Sequence, residues 1–228
     1  MNNYNRIAAF KYVRPFVLFL LPALLIISAV FWVSMGAQAQ AQAQAEDRMQ
    51  TLVFLRHAEK PAMGLGQLNC QGLNRAIALS TLLPREFGNA NFIFAADPSR
   101  HVEEGDNDES YGYLRPLLTV GPTAIKLGLP INIDFGANDI HELADELLRD
   151  KYHGATVYTA WSNGYLPELI NQVAEEATGQ KQTIADDWDK EDFDSIYVLT
   201  VLWHDGRATL HYKKSRQGLD GGSSTCPS

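Results

Sequence analysis

The sequence predicts an α/β fold, a three-layer α/β/α sandwich around a mainly parallel sheet. Short apolar, β-branched runs alternate along the chain with stretches of helical periodicity. The first runs are continuously apolar, as strands covered on both faces are. The last two runs flank Asp205-Gly206, a strong hairpin signal that adds an antiparallel edge. No internal repeat interrupts this order.

Residues 1–45 stand apart from that pattern. Residues 16–33 are uncharged and apolar, broken only by Pro22 and Ser28, and Arg6, Lys11 and Arg14 precede them. Ala37-Gln38-Ala39 then opens an Ala-Gln repeat with several small-residue cleavage sites. Basic flank, apolar run and small residues describe a secretory signal peptide. An uncleaved membrane anchor is the alternative, since the run is long enough to span a bilayer. Either way residues 46–228 are expected outside the cytoplasm, in the periplasm or anchored facing it, as one domain with a full core.

Losing residues 1–45 removes three positive charges and no negative ones, so the formal charge passes from −8 to −11. Such a surface argues against nucleic acid as a partner, and leaves the N-terminal segment as the only route to a membrane. The two cysteines, Cys70 and Cys226, have no Cys or His at ligand spacing, so no metal site is expected. Export permits a disulfide between them; two unpaired thiols are the alternative.

Residues 51–55 form the first buried strand, ending at Arg56-His57. A glycine-bearing loop leads to a helix over 69–87, with Asn69 as N-cap and Gly88 as its stop. A second strand covers 91–95. Residues 101–110 carry Glu103, Glu104, Asp106, Asp108 and Glu109 and read as a solvated, mobile loop without calcium-loop spacing. A helical stretch over 113–127 is expected to be broken into pieces by Pro116 and Pro122. A short strand at 130–133, a helix over 138–148, a strand at 155–160 and a helix over 165–177 follow. Strands over 194–203 and 207–213 close the chain.

The carboxyl edge of an open α/β sheet is where ligands bind. Arg56 and His57 side by side at that edge suit a phosphate clamp plus a nucleophile, because arginine's planar fork holds two phosphate oxygens and is never neutral. The run Arg56-His57-Ala58-Glu59 resembles the signature of the histidine phosphatase (phosphoglycerate mutase-like) superfamily. So does Gly66-Gln67-Leu68-Asn69 with Gly72 and Ala76, where Asn69 replaces a Thr. Arg115 stands four residues before Thr119, as the superfamily's second arginine does, while Arg100 is a rival without that Thr. With Tyr111-x-Tyr113-x-Arg115-Pro116 and residues 192–198, the motifs are also similar to an exported bacterial branch of that superfamily.

The resemblance implies a phosphoglycerate mutase-like fold and phosphoryl transfer without a cofactor or metal. It implies His57 as nucleophile, with Arg56 and Arg115 as substrate clamps. An acidic residue a few dozen positions after the second arginine would be the general acid. Asp139 lies at that separation, with a helix N-cap as its other reading and Glu142 as the fallback. The superfamily also places a second histidine after a late strand, where this chain has Trp161-Ser162-Asn163. Asn163 can donate a hydrogen bond to a bound phosphoryl group but cannot be charged. His153 and His204 are displaced from that position.

These readings lead to a phosphatase that hydrolyses a small phosphomonoester through a phosphohistidine intermediate in the cell envelope. The alternative is an impaired member that binds a phosphorylated ligand without turning it over.

Overall fold

The computed structural model describes residues 48–104, 109–204 and 206–228. The leader, Asp106, Asp108 and Asp205 lie outside the described residues. Strand β1 (Arg48–Arg56) sits inside a six-stranded sheet of order β5-β2-β6-β1-β7-β8. It pairs in parallel with β6 (Thr156–Trp161), which pairs in parallel with β2 (Phe92–Ala95), itself parallel to β5 (Ile131–Asn132). On its other side β1 runs antiparallel to β7 (Ser195–His204), and β7 to β8 (Arg207–Arg216). The expected mainly parallel sheet with a hairpin at one edge is therefore present.

Helices cover both faces, and the alternation of side chains along β1 says why the strand is continuously apolar. Val53 and Leu55 pack with Leu79 and Leu83 of α1 (Cys70–Phe87) and with Val120 of α2 (Arg115–Leu127). Leu52 and Phe54 point the other way, into Leu143 and Leu147 of α3 (Ile140–Leu147) and Leu169 and Val173 of α4 (Leu166–Thr178). Asn69 caps α1 as expected, its side chain accepting from the Gly72 amide at 2.8 Å. Gly88 ends that helix at φ +80°. Cys70 and Cys226 are joined in a disulfide, which ties the C-terminal tail to the first turn of α1.

Two expectations are corrected. Pro116 and Pro122 do not break the segment, which is the single helix α2. Pro116 lies in the first turn, where its missing N–H would have had no helical partner in any case. The acidic stretch expected as an unstructured loop instead forms an antiparallel ribbon of β3 (His101–Glu104) and β4 (Glu109–Gly112). Its strands carry too much charge to show an apolar alternation.

Candidate active site

The carboxyl ends of β1 and β6 lie side by side, in register at Arg56 and Trp161, and the His57 amide extends the ladder to the Trp161 carbonyl at 2.9 Å. This puts the residues after each strand into one cleft of about 670 Å³. Arg56, His57, Arg115 and Asn163 all line it.

Arg115 reaches the cleft because the start of α2 is anchored on the loop after β1. The Gly66 carbonyl accepts from the amides of Leu114 at 2.9 Å and Arg115 at 3.1 Å. Gly66 holds φ +64°, and a Cβ there would lie 2.1 Å from the Gly112 carbonyl oxygen, so only glycine fits. Gly72 is required for approach in the same way, since its Cβ would meet the Glu59 carbonyl oxygen at 2.3 Å. Thr119 ties the two segments directly. Its Oγ1 accepts from the Ala58 amide at 2.9 Å and donates to the Arg115 carbonyl at 2.8 Å.

His57 is buried, with its Nδ1 2.8 Å from the Ala58 carbonyl oxygen. A carbonyl only accepts, so Nδ1 carries the proton and Nε2 presents its lone pair. Burial, with added repulsion from Arg115, Arg56 and Lys60 and some relief from the Ala58 carbonyl, pushes the imidazole down to about 3. The ring is therefore neutral at pH 7, as a nucleophile must be.

Arg56 is held by the segment before β7. Its Nη1 donates to the Lys190 carbonyl at 2.5 Å and to that of Asp192 at 3.3 Å, and its guanidinium carbon lies 3.8 Å from the centre of the Phe193 ring. Burial lowers it to about 10, opposed by Tyr113 and Glu191, so it stays cationic. Its buried Nε has no hydrogen-bond partner among the described residues. A buried donor left in this way costs about 1–3 kcal/mol. Arg115 stacks over Tyr113 at 4.8 Å from the ring centre, and burial pushes that phenol up while Arg115 and Ser162 share hydrogen bonds with it.

Other expected residues stand elsewhere. Asp139 is the residue before α3 and does not line the cleft. Its carboxylate turns back to accept from the Gly136 amide at 2.8 Å and lies 3.4 Å from Arg100 Nη2. Arg100 and Glu142 are exposed and outside the cleft. His153 stacks on Trp203 with ring centres 3.8 Å apart, and neither His153 nor His204 lines the cleft. Among the described residues no group of three His, Cys, Asp or Glu could hold a metal ion.

Several residues were not legible as site residues. Glu59, next but one to the nucleophile, is buried against Arg75, which donates Nε to both its oxygens at 3.0 and 2.9 Å and Nη2 to Oε1 at 2.7 Å. Arg75 also donates to Asp194 Oδ1 at 3.2 Å. Phe193 and Asp194 both come from the 192–198 segment, whose resemblance was the only signal for them.

No protein-family model and no curated protein sequence matches the chain. Among solved structures it is similar to a candidate phosphohistidine phosphatase SixA from Nakamurella multipartitia, with 16% identity and a TM-score of 0.47 over 73% of this chain and 95% of that one. It is similar to a phosphoserine phosphatase from Entamoeba histolytica, with 12% identity and a TM-score of 0.43 over 75% and 98%. A mycobacterial glucosyl-3-phosphoglycerate phosphatase is also similar, with 14% identity and a TM-score of 0.44 over 73% and 95%. All three are described as phosphatases.

Proposed function

We propose that the protein is a phosphatase that hydrolyses a small phosphomonoester through phosphorylation of His57. The observation that carries this reading is the His57 imidazole, its Nδ1 turned to the Ala58 carbonyl, in one cleft with Arg56 and Arg115. In the first step Nε2 attacks phosphorus, the P–N bond forms and the ester P–O bond breaks. Arg56 and Arg115 hold the equatorial oxygens as their charge redistributes. Water then attacks the phosphohistidine, the P–N bond breaks, and phosphate leaves. No metal or cofactor is required in this scheme.

We place the activity in the cell envelope. The basic flank, apolar run and Ala-Gln segment of residues 1–45 support export, and the Cys70–Cys226 disulfide fits an oxidising compartment. No described helix is long and apolar enough to cross a membrane.

The test is turnover of a chromogenic phosphomonoester by wild type and by His57→Ala, with trapping of acid-labile phosphate on the wild-type chain. Turnover and labelling that both vanish in the variant support the reading; a wild type that shows neither removes it. Asn163 in the cleft favours a second reading, a protein that binds a phosphorylated ligand without turning it over, and phosphate binding without turnover would select that one.

A further inference from the structure

Resting on the phosphatase reading above, we propose that Glu191 is the general acid that protonates the leaving group. Among the described residues two carboxylates line the cleft, Glu59 and Glu191. Glu59 is unsuited, because Arg75 donates to both of its oxygens and keeps it an acceptor. Asp139 is turned onto Gly136 and Arg100, outside the cleft. Glu191 is different on each count. Its side chain is exposed at the cleft wall and its carboxylate makes no ion pair among the described residues.

The position of Glu191 is fixed by the same segment that fixes Arg56. Its amide donates to Asp189 Oδ1 at 2.9 Å, and the carbonyls of its two neighbours, Lys190 and Asp192, accept from Arg56 Nη1. The carboxyl group is thus carried by the one residue between two contacts to the phosphate clamp. That puts the carboxyl group on the wall of the cleft that also holds Arg56, His57 and Arg115, where a proton donor to the ester oxygen has to stand.

As the P–N bond to His57 forms and the P–O bond breaks, the carboxyl proton of Glu191 passes to the leaving oxygen, which departs as an alcohol. The resulting carboxylate then takes a proton from the attacking water as the P–N bond breaks, which regenerates the acid and releases phosphate.

The experiment compares kcat/KM of wild type and Glu191→Gln on two probes, glycerol 2-phosphate and p-nitrophenyl phosphate. An alkoxide needs a proton to leave and a nitrophenolate does not. The expected result is a loss of about 100-fold or more on glycerol 2-phosphate with less than about threefold change on p-nitrophenyl phosphate, since general acid help is not needed there. Equal losses on both probes, or no loss on either, overturn the assignment. The reading it rests on fails separately, if wild type gives no phosphohistidine from p-nitrophenyl phosphate; labelled His57 with no leaving-group dependence in Glu191→Gln sinks the acid alone.

Discussion

Thr119 and Ala58 are joined by a buried hydrogen bond of 2.9 Å from the Ala58 amide to the Thr119 hydroxyl, which itself donates to the Arg115 carbonyl. One side chain thereby sets the separation between the residue after the nucleophile and the backbone of the second clamp. The four-residue spacing from Arg115 to Thr119 is the helical turn that makes this possible.

Removing that hydroxyl leaves the Ala58 amide buried and unsatisfied. Thr119→Val should therefore lose about 1–3 kcal/mol of stability and lower kcat, while Thr119→Ser keeps the bond and most of both. Urea denaturation and turnover of a chromogenic phosphomonoester check this. A Val variant as stable and active as wild type would show that the contact positions nothing.

The Arg75 guanidinium, buried with Glu59 and Asp194, makes a second prediction. Arg75→Ala leaves Glu59 buried without its cation and Asp194 with Arg216 alone, and breaking a buried pair from one side costs about 3–5 kcal/mol. Adding Glu59→Gln to that variant should recover part of the loss. A loss below about 1 kcal/mol, the range of exposed pairs, would mean that water reaches the cluster.

How much of this was legible beforehand follows from distance along the chain. The buried strand β1, the Asn69 cap and the closing hairpin are written in consecutive residues, so local pattern finds them. Arg56, His57, Arg115 and Asn163 stand in short motifs at strand and helix ends. The Glu59–Arg75–Asp194 cluster joins residues 16 and 119 positions apart, and no local pattern records such a pairing. Phe193 reads in the sequence as one more aromatic beside a strand; only the fold lays it on Arg56. Asp139 had the right separation from Arg115, but separation does not fix direction, and its side chain faces Arg100.

The depressed imidazole of His57 gives a pH dependence of stability. Its folded value of about 3 lies below its ordinary 6.5. Between these values the unfolded chain binds a proton that the folded chain does not, so stability rises with pH across that window. The contribution is full above 6.5 and is lost as pH falls toward 3, at up to about 1.4 kcal/mol per unit. Carboxylates held low in the fold, such as Asp192 and Asp194, add their own loss only nearer their ordinary value of 3.8. Glu176, whose carboxyl burial pushes up, adds a slope of the opposite sign, so the histidine is read as the difference between wild type and a His57 variant over the interval from 6.5 to 4.5. Urea midpoints in phosphate-free buffer should fall across it for wild type and stay flatter for His57→Gln; parallel curves would refute the buried neutral ring.

Asn163 supplies the last prediction. It follows β6 where that strand pairs with the end of β1, and it lines the cleft with His57. An amide there can donate a hydrogen bond to a phosphoryl oxygen but adds no charge as the transition state forms. Asn163→His supplies a cationic donor when protonated, worth about 1–2 kcal/mol over a neutral one, or roughly ten- to thirtyfold in rate. Because the gain needs the charged ring, it should be largest below the ordinary imidazole range and fade as pH rises through it. Wild-type turnover that Asn163→His raises in this pH-dependent way marks a working but slowed phosphatase. Activity that exists only in the variant marks a natural binding protein instead. A variant with unchanged kcat/KM at every pH would mean that residue 163 does not reach the phosphoryl group at all.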